Sequence, residues 1–135
     1  MLTNVVNNGV CHFSAAVVMP SGSGVASISF ETAQQEFLHL DFTANNTVRI
    51  DDNPNIEFGS LARDQVFLVQ VTLDTTGPQS NARVVLSGGA SGSRDYTLMA
   101  PSQPLSHQFA AIRIWQGFPH TGRFFSTEIG VSQEP

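Results

Sequence analysis

The sequence contains no lysine, its six cationic residues are all arginine, and only 13% of its residues are charged. Globular proteins average about 25%. A hydrophobic content of 41% argues against a disordered chain. The net charge of -5 disfavours non-specific binding to nucleic acid or to an anionic membrane surface. We therefore expect no nucleic acid among the partners of this protein.

Cysteine is nearly absent, and so are long apolar runs. Cys11 is the single cysteine, which excludes an internal disulfide and a cysteine-based zinc site. We expect it to be a small buried hydrophobic side chain. No apolar run approaches the ~18 residues that span a bilayer, so we expect no membrane insertion. No secretory signal is visible, which fits a cytosolic chain, a mature form or a cloned domain.

Helix-forming patterns are also scarce, since only "ETAQQEF" could form a turn or two. β-rich runs alternate instead with loops of Gly, Ser, Pro and Asn, including "DDNPN" and "SGGASGS". This spacing predicts one all-β domain over residues 1–135, an antiparallel β-sandwich. The predicted strands are 12–19, 25–30, 37–42, 47–50, 65–74, 82–87, 94–99, 107–115 and 124–132.

The segments 37–42 and 47–50 predict a hairpin over "ANN", with Thr43 opposite Thr47. This register sets Leu40 against Ile50 and Phe42 against Val48, whereas a shift of one residue mixes apolar and charged side chains. Asn45 or Asn46 supplies the left-handed residue of the turn. On the other face the register places Asp41 opposite Arg49 and His39 opposite Asp51.

The segment "IRIWQGFPHTGRFF" predicts a second hairpin, in which Trp115 pairs with Phe124 and Ile114 with Phe125. Ala110, Ile112 and Ile114 then share the core face with Phe125 and Ile129. The opposite face carries Trp115, Phe124, Arg113, Ser126 and Glu128, beside the loop 116–123.

Three segments carry a resemblance to a known superfamily. "FLHLDFTANNTVRID", "LARDQVFLVQVTLDTTGPQSNARVVLSGGAS" and "AAIRIWQGFPHTGRFFSTEIGV" together resemble the concanavalin A-like (laminin-G-like) jelly-roll fold. The matching strands are Val66–Asp74, Arg83–Gly88 and the closing pair within Ile112–Val131. Thr127 and Glu128 replace the paired acids that the family has before its last valine, and the chain is short for the family.

The resemblance implies an antiparallel jelly-roll that binds glycans on a sheet face or at loops, in an extracellular or periplasmic setting. Some members are glycosidases with an E-x-D-x-x-E strand that brings two carboxyl groups about 5 Å apart. This sequence lacks such a strand, and its nearest acids, Glu36 and Asp41, fall on opposite faces. A G-x-S-x-G elbow is also missing. We therefore expect no catalytic residues and no enzyme activity.

The main candidate site lies on the aromatic face of the second hairpin. Trp115 is suited to stack on a sugar ring, while planar polar groups read its hydroxyls. A subunit interface in a homo-oligomer and plain packing are the competing interpretations, and packing is slightly favoured. The candidate ligand-binding residues are Trp115, Arg113, Phe124, Glu128, Gln116 and His120.

A second polar patch comprises His39, Asp41, Arg49 and Asp51. It offers a ligand site, or a metal site through His39 and Asp51, but we favour a solvated cross-strand charge ladder. The oxygen-rich "DDNPN" leaves calcium open as an alternative, without the spacing of an EF-hand loop. We otherwise expect no metal and no cofactor. The sequence thus predicts a non-catalytic module that binds a glycan or surface ligand; the alternative is a structural or self-assembly domain that uses the same aromatic face.

Overall fold

A computed structural model describes residues 2–6, 10–21, 24–32, 36–51, 54–74, 81–97, 109–116 and 125–133. Within these ranges no part of the backbone forms a helix capable of crossing a bilayer. The described residues form strands joined by turns. The strands are β1 (Leu2–Val6), β2 (Val10–Val18), β3 (Ala26–Thr32), β4 (Glu36–Phe42), β5 (Thr47–Ile50), β6 (Ile56–Leu61), β7 (Val66–Asp74), β8 (Asn81–Gly88), β9 (Ala90–Thr97), β10 (Phe109–Gln116) and β11 (Phe125–Gln133).

All the strand pairings are antiparallel, in the order β1-β10-β3-β4-β5-β6-β9-β8-β7-β2-β11. This curled sheet packs against itself as two layers. We call β1-β10-β3-β4-β5-β6 the first layer and β9-β8-β7-β2-β11 the second. The predicted antiparallel β-sandwich is confirmed.

The core lies between the layers and follows from alternation along each strand. In β7, Phe67, Val69, Val71 and Leu73 are buried, while Val66 and Leu68 on the opposite face are exposed. Aromatic contacts between described residues join the layers. Phe13 of β2 meets Phe30 of β3 edge to face with ring centroids 5.0 Å apart, and Phe42 of β4 meets Phe67 of β7 at 5.5 Å. Cys11 is also buried, as predicted, and burial raises the pKa of its thiol.

The layers connect where β6 pairs with β9, and this join requires glycine. Gly59 lies opposite Gly92. A Cβ on Gly59 would come within 2.7 Å of both Leu86 Cδ1 and Ser91 O. Gly92 has a φ of +135°, which other residues rarely adopt, and a Cβ there would collide with Phe58 O. The pair lets the two backbones approach closely enough for the sheet to turn over.

The hairpin of β4 and β5 forms in the predicted register. Leu40 pairs with Ile50, Asp41 with Arg49 and Phe42 with Val48. The turn is closed by a 2.9 Å hydrogen bond from Thr43 N to Thr47 O, and a φ of 62° at Asn46 supplies the left-handed residue.

The Arg63 side chain fixes this turn to its surroundings. Its Nε donates to Asn46 Oδ1 at 2.7 Å, and one terminal amino group donates to Thr43 O at 3.0 Å. Longer bonds reach the carbonyl oxygens of Pro20, at 3.4 Å, and Gly24, at 3.5 Å. One guanidinium therefore connects three loops at the end of the sandwich that holds the β4–β5 turn.

The predicted hairpin of β10 and β11 is wrong. Ile114 pairs with Ile28 of β3, and Phe125 pairs with Val18 of β2. The two strands belong to different layers. Alternation along a strand predicts which of its residues face the core, but it does not identify the neighbouring strand. Any strand with an apolar face can pair with β10, and here β3 supplies Ile28 where Phe125 of β11 was predicted.

Two strands and one connection were also missed. β1 and β6 have no counterpart among the predicted strands. The segment "SGGASGS" was predicted as a loop, yet β8 runs to Gly88 and β9 starts at Ala90. Gly88 has a φ of +74° and turns the chain tightly, so the following small residues continue as a strand.

Candidate functional site

The outer face of the first layer carries an unusual set of buried polar side chains. In β3, Ile28 and Phe30 enter the core, so the alternate residues Ser27 and Ser29 lie on the outer face, where they are 0% and 1% exposed. The strand register arranges this face in two adjacent rows. The Asp41 row is Ser27–Asp41–Arg49, and the His39 row is Ser29–His39–Asp51.

The Asp41 carboxylate accepts hydrogen bonds from three strands. Ser27 Oγ donates to Oδ1 at 2.7 Å. His39 Nε2 lies 2.9 Å from the same oxygen, and Arg49 Nε donates to Oδ2 at 3.2 Å. Since an ionised carboxylate can only accept, His39 must donate through Nε2. Asp41 thereby fixes the positions of an imidazole and a guanidinium.

These contacts decide the protonation state of Asp41. Burial of the carboxyl group on its own raises its pKa, but the hydrogen bonds from His39, Ser27 and Arg49 and the charge of His39 together outweigh burial and lower the pKa. Asp41 is therefore an anion at neutral pH.

The predicted cross-strand pairing of this patch is confirmed, but its description as a solvated charge ladder is wrong. The side chains of His39 and Asp41 are only 11% and 9% exposed, while that of Arg49 is 36% exposed. The small serines of β3 let the neighbouring β4 side chains pack close to the sheet, so the charges are held in a hydrogen-bonded cluster. Of these four residues, Asp51 is exposed and Arg49 is partly exposed.

The His39 row lies beside this cluster. Asp51 N donates to His39 O at 2.9 Å, which holds Asp51 opposite His39 just beyond the end of β5. Atoms of His39, Asp41 and Asp51 that could bind a metal lie within 4.8 Å of one another. Ser29 pairs with His39 on the other side, and its buried Oγ has no hydrogen-bond partner in the part of the chain that the structure describes.

The register of β10 connects the two sequence-predicted patches. In the backbone register Trp115 pairs with Ser27, the β3 residue of the Asp41 row, and Arg113 pairs with Ser29, the β3 residue of the His39 row. Gln116 pairs with Ala26. The sequence predicts the two patches as separate sites, because no local pattern indicates that β10 lies beside β3.

The other predicted site residues do not join this cluster through strand pairing. Glu128 lies on β11 in the second layer, opposite Ala16 of β2. Its predicted grouping with Trp115 depended on the β10–β11 hairpin and is wrong. Phe124 and His120 lie outside the described residues. So do two residues of "DDNPN", where calcium was left open.

Sequence reasoning missed Ser27 and Ser29 as members of the site. The signal was present in "ASISFE", where serine alternates with large apolar residues. Such alternation identifies small polar side chains on the face away from the core.

Similar folds are known among solved structures. Galectin LEC-6 of Caenorhabditis elegans matches with a TM-score of 0.66 at 12% identity, over 98% of this chain and 90% of that one. A sialidase matches with a TM-score of 0.71 at 14% identity, over 93% of this chain but only 13% of the sialidase. No model of a protein family and no curated protein matches the chain. At these identities the likeness shows the fold alone, an antiparallel jelly-roll β-sandwich.

Proposed function

We propose that this chain is a non-catalytic glycan-binding module whose site is the outer face of the first layer, centred on the Asp41 row. One observation carries the proposal: a buried carboxylate holds the planar side chains of His39 and Arg49 in fixed positions on this face. Ligand sites of this kind rely on a few polar groups whose positions are set before the ligand arrives.

Arg49 is the main donor in this proposal. Its Nε bond to Asp41 is its one hydrogen bond among the described residues, so its two terminal amino groups are free to donate to ligand hydroxyls. The side chain is 36% exposed, and the bond to Asp41 limits the rotamer entropy lost on binding.

Trp115 remains the predicted stacking platform. The register places its backbone two strands from Asp41, at about 4.8 Å per strand, in the same row. Arg49 lies one strand further on, so a short oligosaccharide that spans three strand spacings, roughly 14 Å, would contact an aromatic ring at one end and Arg49 at the other. The likeness in fold to a galectin supports glycans as the ligand class.

The proposal includes no catalysis. Glycoside hydrolysis requires a carboxylic acid that keeps its proton near neutral pH, through a raised pKa. Burial alone would raise the pKa of Asp41, but the hydrogen bonds to its carboxylate lower it, which makes it a poor proton donor. We place the module in an extracellular or periplasmic setting, where glycans are accessible.

A glycan array with three proteins tests the proposal. The wild type should bind a subset of glycans, Arg49→Ala should lose at least about tenfold in affinity for them, and Arg83→Ala on the second layer should bind like the wild type. Tryptophan fluorescence gives the dissociation constants in solution. Absence of binding by the wild type, or equal loss in both variants, would refute the proposal.

Self-assembly is the second candidate, and the exposure of two large apolar residues favours it. Val66 is 55% exposed and Leu68 is 40% exposed on the outer face of the second layer. Light scattering on the array samples tests this role. A stable dimer or trimer that Leu68→Gln converts to monomer, together with an absence of glycan binding, would establish it in place of the first proposal.

A further inference from the structure

We propose that His39, Asp41 and Asp51 form a zinc-binding site, with Ser29 supporting it from the neighbouring strand. The sequence left a metal at His39 and Asp51 as the less favoured alternative, and the structure adds Asp41 and Ser29 to it. The site shares residues with the proposed glycan site, but the inference does not depend on glycan binding.

The ligand geometry is close to what zinc needs. Two ligands of one tetrahedral zinc, each about 2.0–2.1 Å from the metal, lie roughly 3.3 Å apart. His39 Nε2 and Asp41 Oδ1 are already 2.9 Å apart, and all three ligand atoms lie within 4.8 Å of one another. Asp51 is exposed, so a rotation of its carboxylate closes the remaining gap.

Zinc can replace the hydrogen that joins His39 to Asp41. In the metal-free protein His39 Nε2 shares a hydrogen with Asp41 Oδ1, and zinc would take the place of that hydrogen, which leaves as a proton. Asp41 keeps its other two hydrogen bonds, from Ser27 to Oδ1 and from Arg49 to Oδ2. Such outer contacts orient metal ligands in proteins.

Ser29 gives the second, independent indication of a ligand. Its hydroxyl is buried, 1% of the residue is exposed, and Oγ has no partner within the described residues. Buried hydroxyl groups without a partner are rare, because desolvation is then uncompensated. Ser29 lies directly opposite His39 on the same face of the sheet. A water bound to zinc as the fourth ligand would give Oγ a partner.

The donor set selects zinc over the hard divalent cations. Zinc accepts imidazole nitrogen and carboxylate oxygen as ligands, and three protein ligands would leave the fourth tetrahedral position open for water. Calcium takes 6–8 oxygen ligands and magnesium retains most of its water, so neither gains from His39.

Isothermal titration of the untagged, EDTA-dialysed protein with ZnCl₂ tests this inference. We expect one zinc per chain, with no heat from CaCl₂. His39→Asn and Asp51→Asn should each weaken zinc binding at least tenfold, and Ser29→Ala about tenfold. The matched controls His12→Asn and Asp95→Asn, on the second layer, should bind zinc like the wild type.

A spectroscopic readout separates this site from adventitious binding. In long-range ¹H–¹⁵N spectra, zinc should shift the His39 Nε2 resonance and leave that of His12 unchanged. Because Asp51 is exposed, Asp51→Asn tests the site even if His39→Asn does not fold. Undetectable zinc binding, or zinc affinity that is retained in Asp51→Asn, would overturn the inference. Neither result bears on glycan binding, which the array measures in EDTA.

Discussion

Two cross-strand Asp–Arg pairs stand on the two outer faces of the sandwich, and their surroundings differ. On the first layer, Arg49 Nε lies 3.2 Å from Asp41 Oδ2, and the side chains of Asp41 and Arg49 are 9% and 36% exposed. On the second layer, Arg83 Nε lies 3.9 Å from Asp95 Oδ1, and the side chains of Asp95 and Arg83 are 80% and 64% exposed. Both pairs are directly opposed in the strand register.

The difference shows that residue types and register do not by themselves determine how firmly an ion pair is held. An exposed pair at 3.9 Å contributes little, since water and salt screen it and two flexible side chains must be ordered. Asp41 is buried beside Ser27 and His39, so its charge depends on protein hydrogen bonds and in return fixes the donors around it. Burial of Asp41 thus distinguishes the first-layer pair, whose side chains are held in fixed positions, from the exposed second-layer pair.

The largest expected effect comes from removing the buried charge. Asp41→Asn should lower the free energy of unfolding by about 3 kcal/mol, because Arg49 and His39 lose the anion that balances them. Asp95→Asn should change it by less than about 0.5 kcal/mol. Urea unfolding of the three proteins measures both values. Similar losses in the two variants would contradict the comparison.

The contribution of Asp41 should also depend on pH. Its folded-state pKa is below the ordinary value of 3.8, so the carboxylate stabilises the fold above that pH, and the stabilisation is lost as pH falls through the folded-state pKa. The stability gap between wild type and Asp41→Asn should shrink as the pH falls from about 5 to below about 4. Urea titrations across this range measure it. A difference in stability that widens on acidification would contradict a lowered pKa of Asp41 in the folded state.

The two serines of β3 should respond oppositely to alanine. Ser27→Ala removes a hydrogen bond to a buried anion and should cost about 1.5–3 kcal/mol. Ser29→Ala removes a hydroxyl without a partner among the described residues, so the metal-free protein should keep its stability or gain up to about 1 kcal/mol. Thermal unfolding in EDTA distinguishes them. A loss of stability in Ser29→Ala equal to that in Ser27→Ala would mean that Ser29 has a partner.

The smallest effect is expected on the second layer. Arg83→Ala removes one half of an exposed pair and should change the free energy of unfolding by less than about 0.5 kcal/mol. Arg49→Ala should cost more, about 1–2 kcal/mol, because Asp41 then loses one of its hydrogen bonds. Urea unfolding at low and high salt checks both. A larger loss for Arg83→Ala would reverse the ranking of the two faces.

The hairpin of β4 and β5 could be predicted from the sequence in detail. Its strands are adjacent in the chain, its turn is short, and only one register pairs Leu40 with Ile50 and Phe42 with Val48. The left-handed residue at Asn46 follows from the same turn. Local pairing with a buried face leaves few alternatives.

The composition of the site could be predicted only in part. His39, Asp41 and Arg49 were found because they lie on one hairpin. Their burial depends on Ser27 and Ser29 of β3, and the position of Trp115 depends on β10 lying beside β3. β10 begins 76 residues after β3 ends, from Thr32 to Phe109 with both ends excluded. Alternation identifies the faces of such distant strands but not their neighbours.

Mapping the bound glycan by ¹H–¹⁵N chemical shifts is the most direct test of the central claim, that the preorganised face of the first layer binds ligand. With the strongest ligand from the array, the largest shifts should occur at the amides of Ser27, Asp41 and Arg49, and the Trp115 indole should respond with them. Shifts centred on Val66, Leu68 and Arg83, or no shifts with any glycan, would contradict the account.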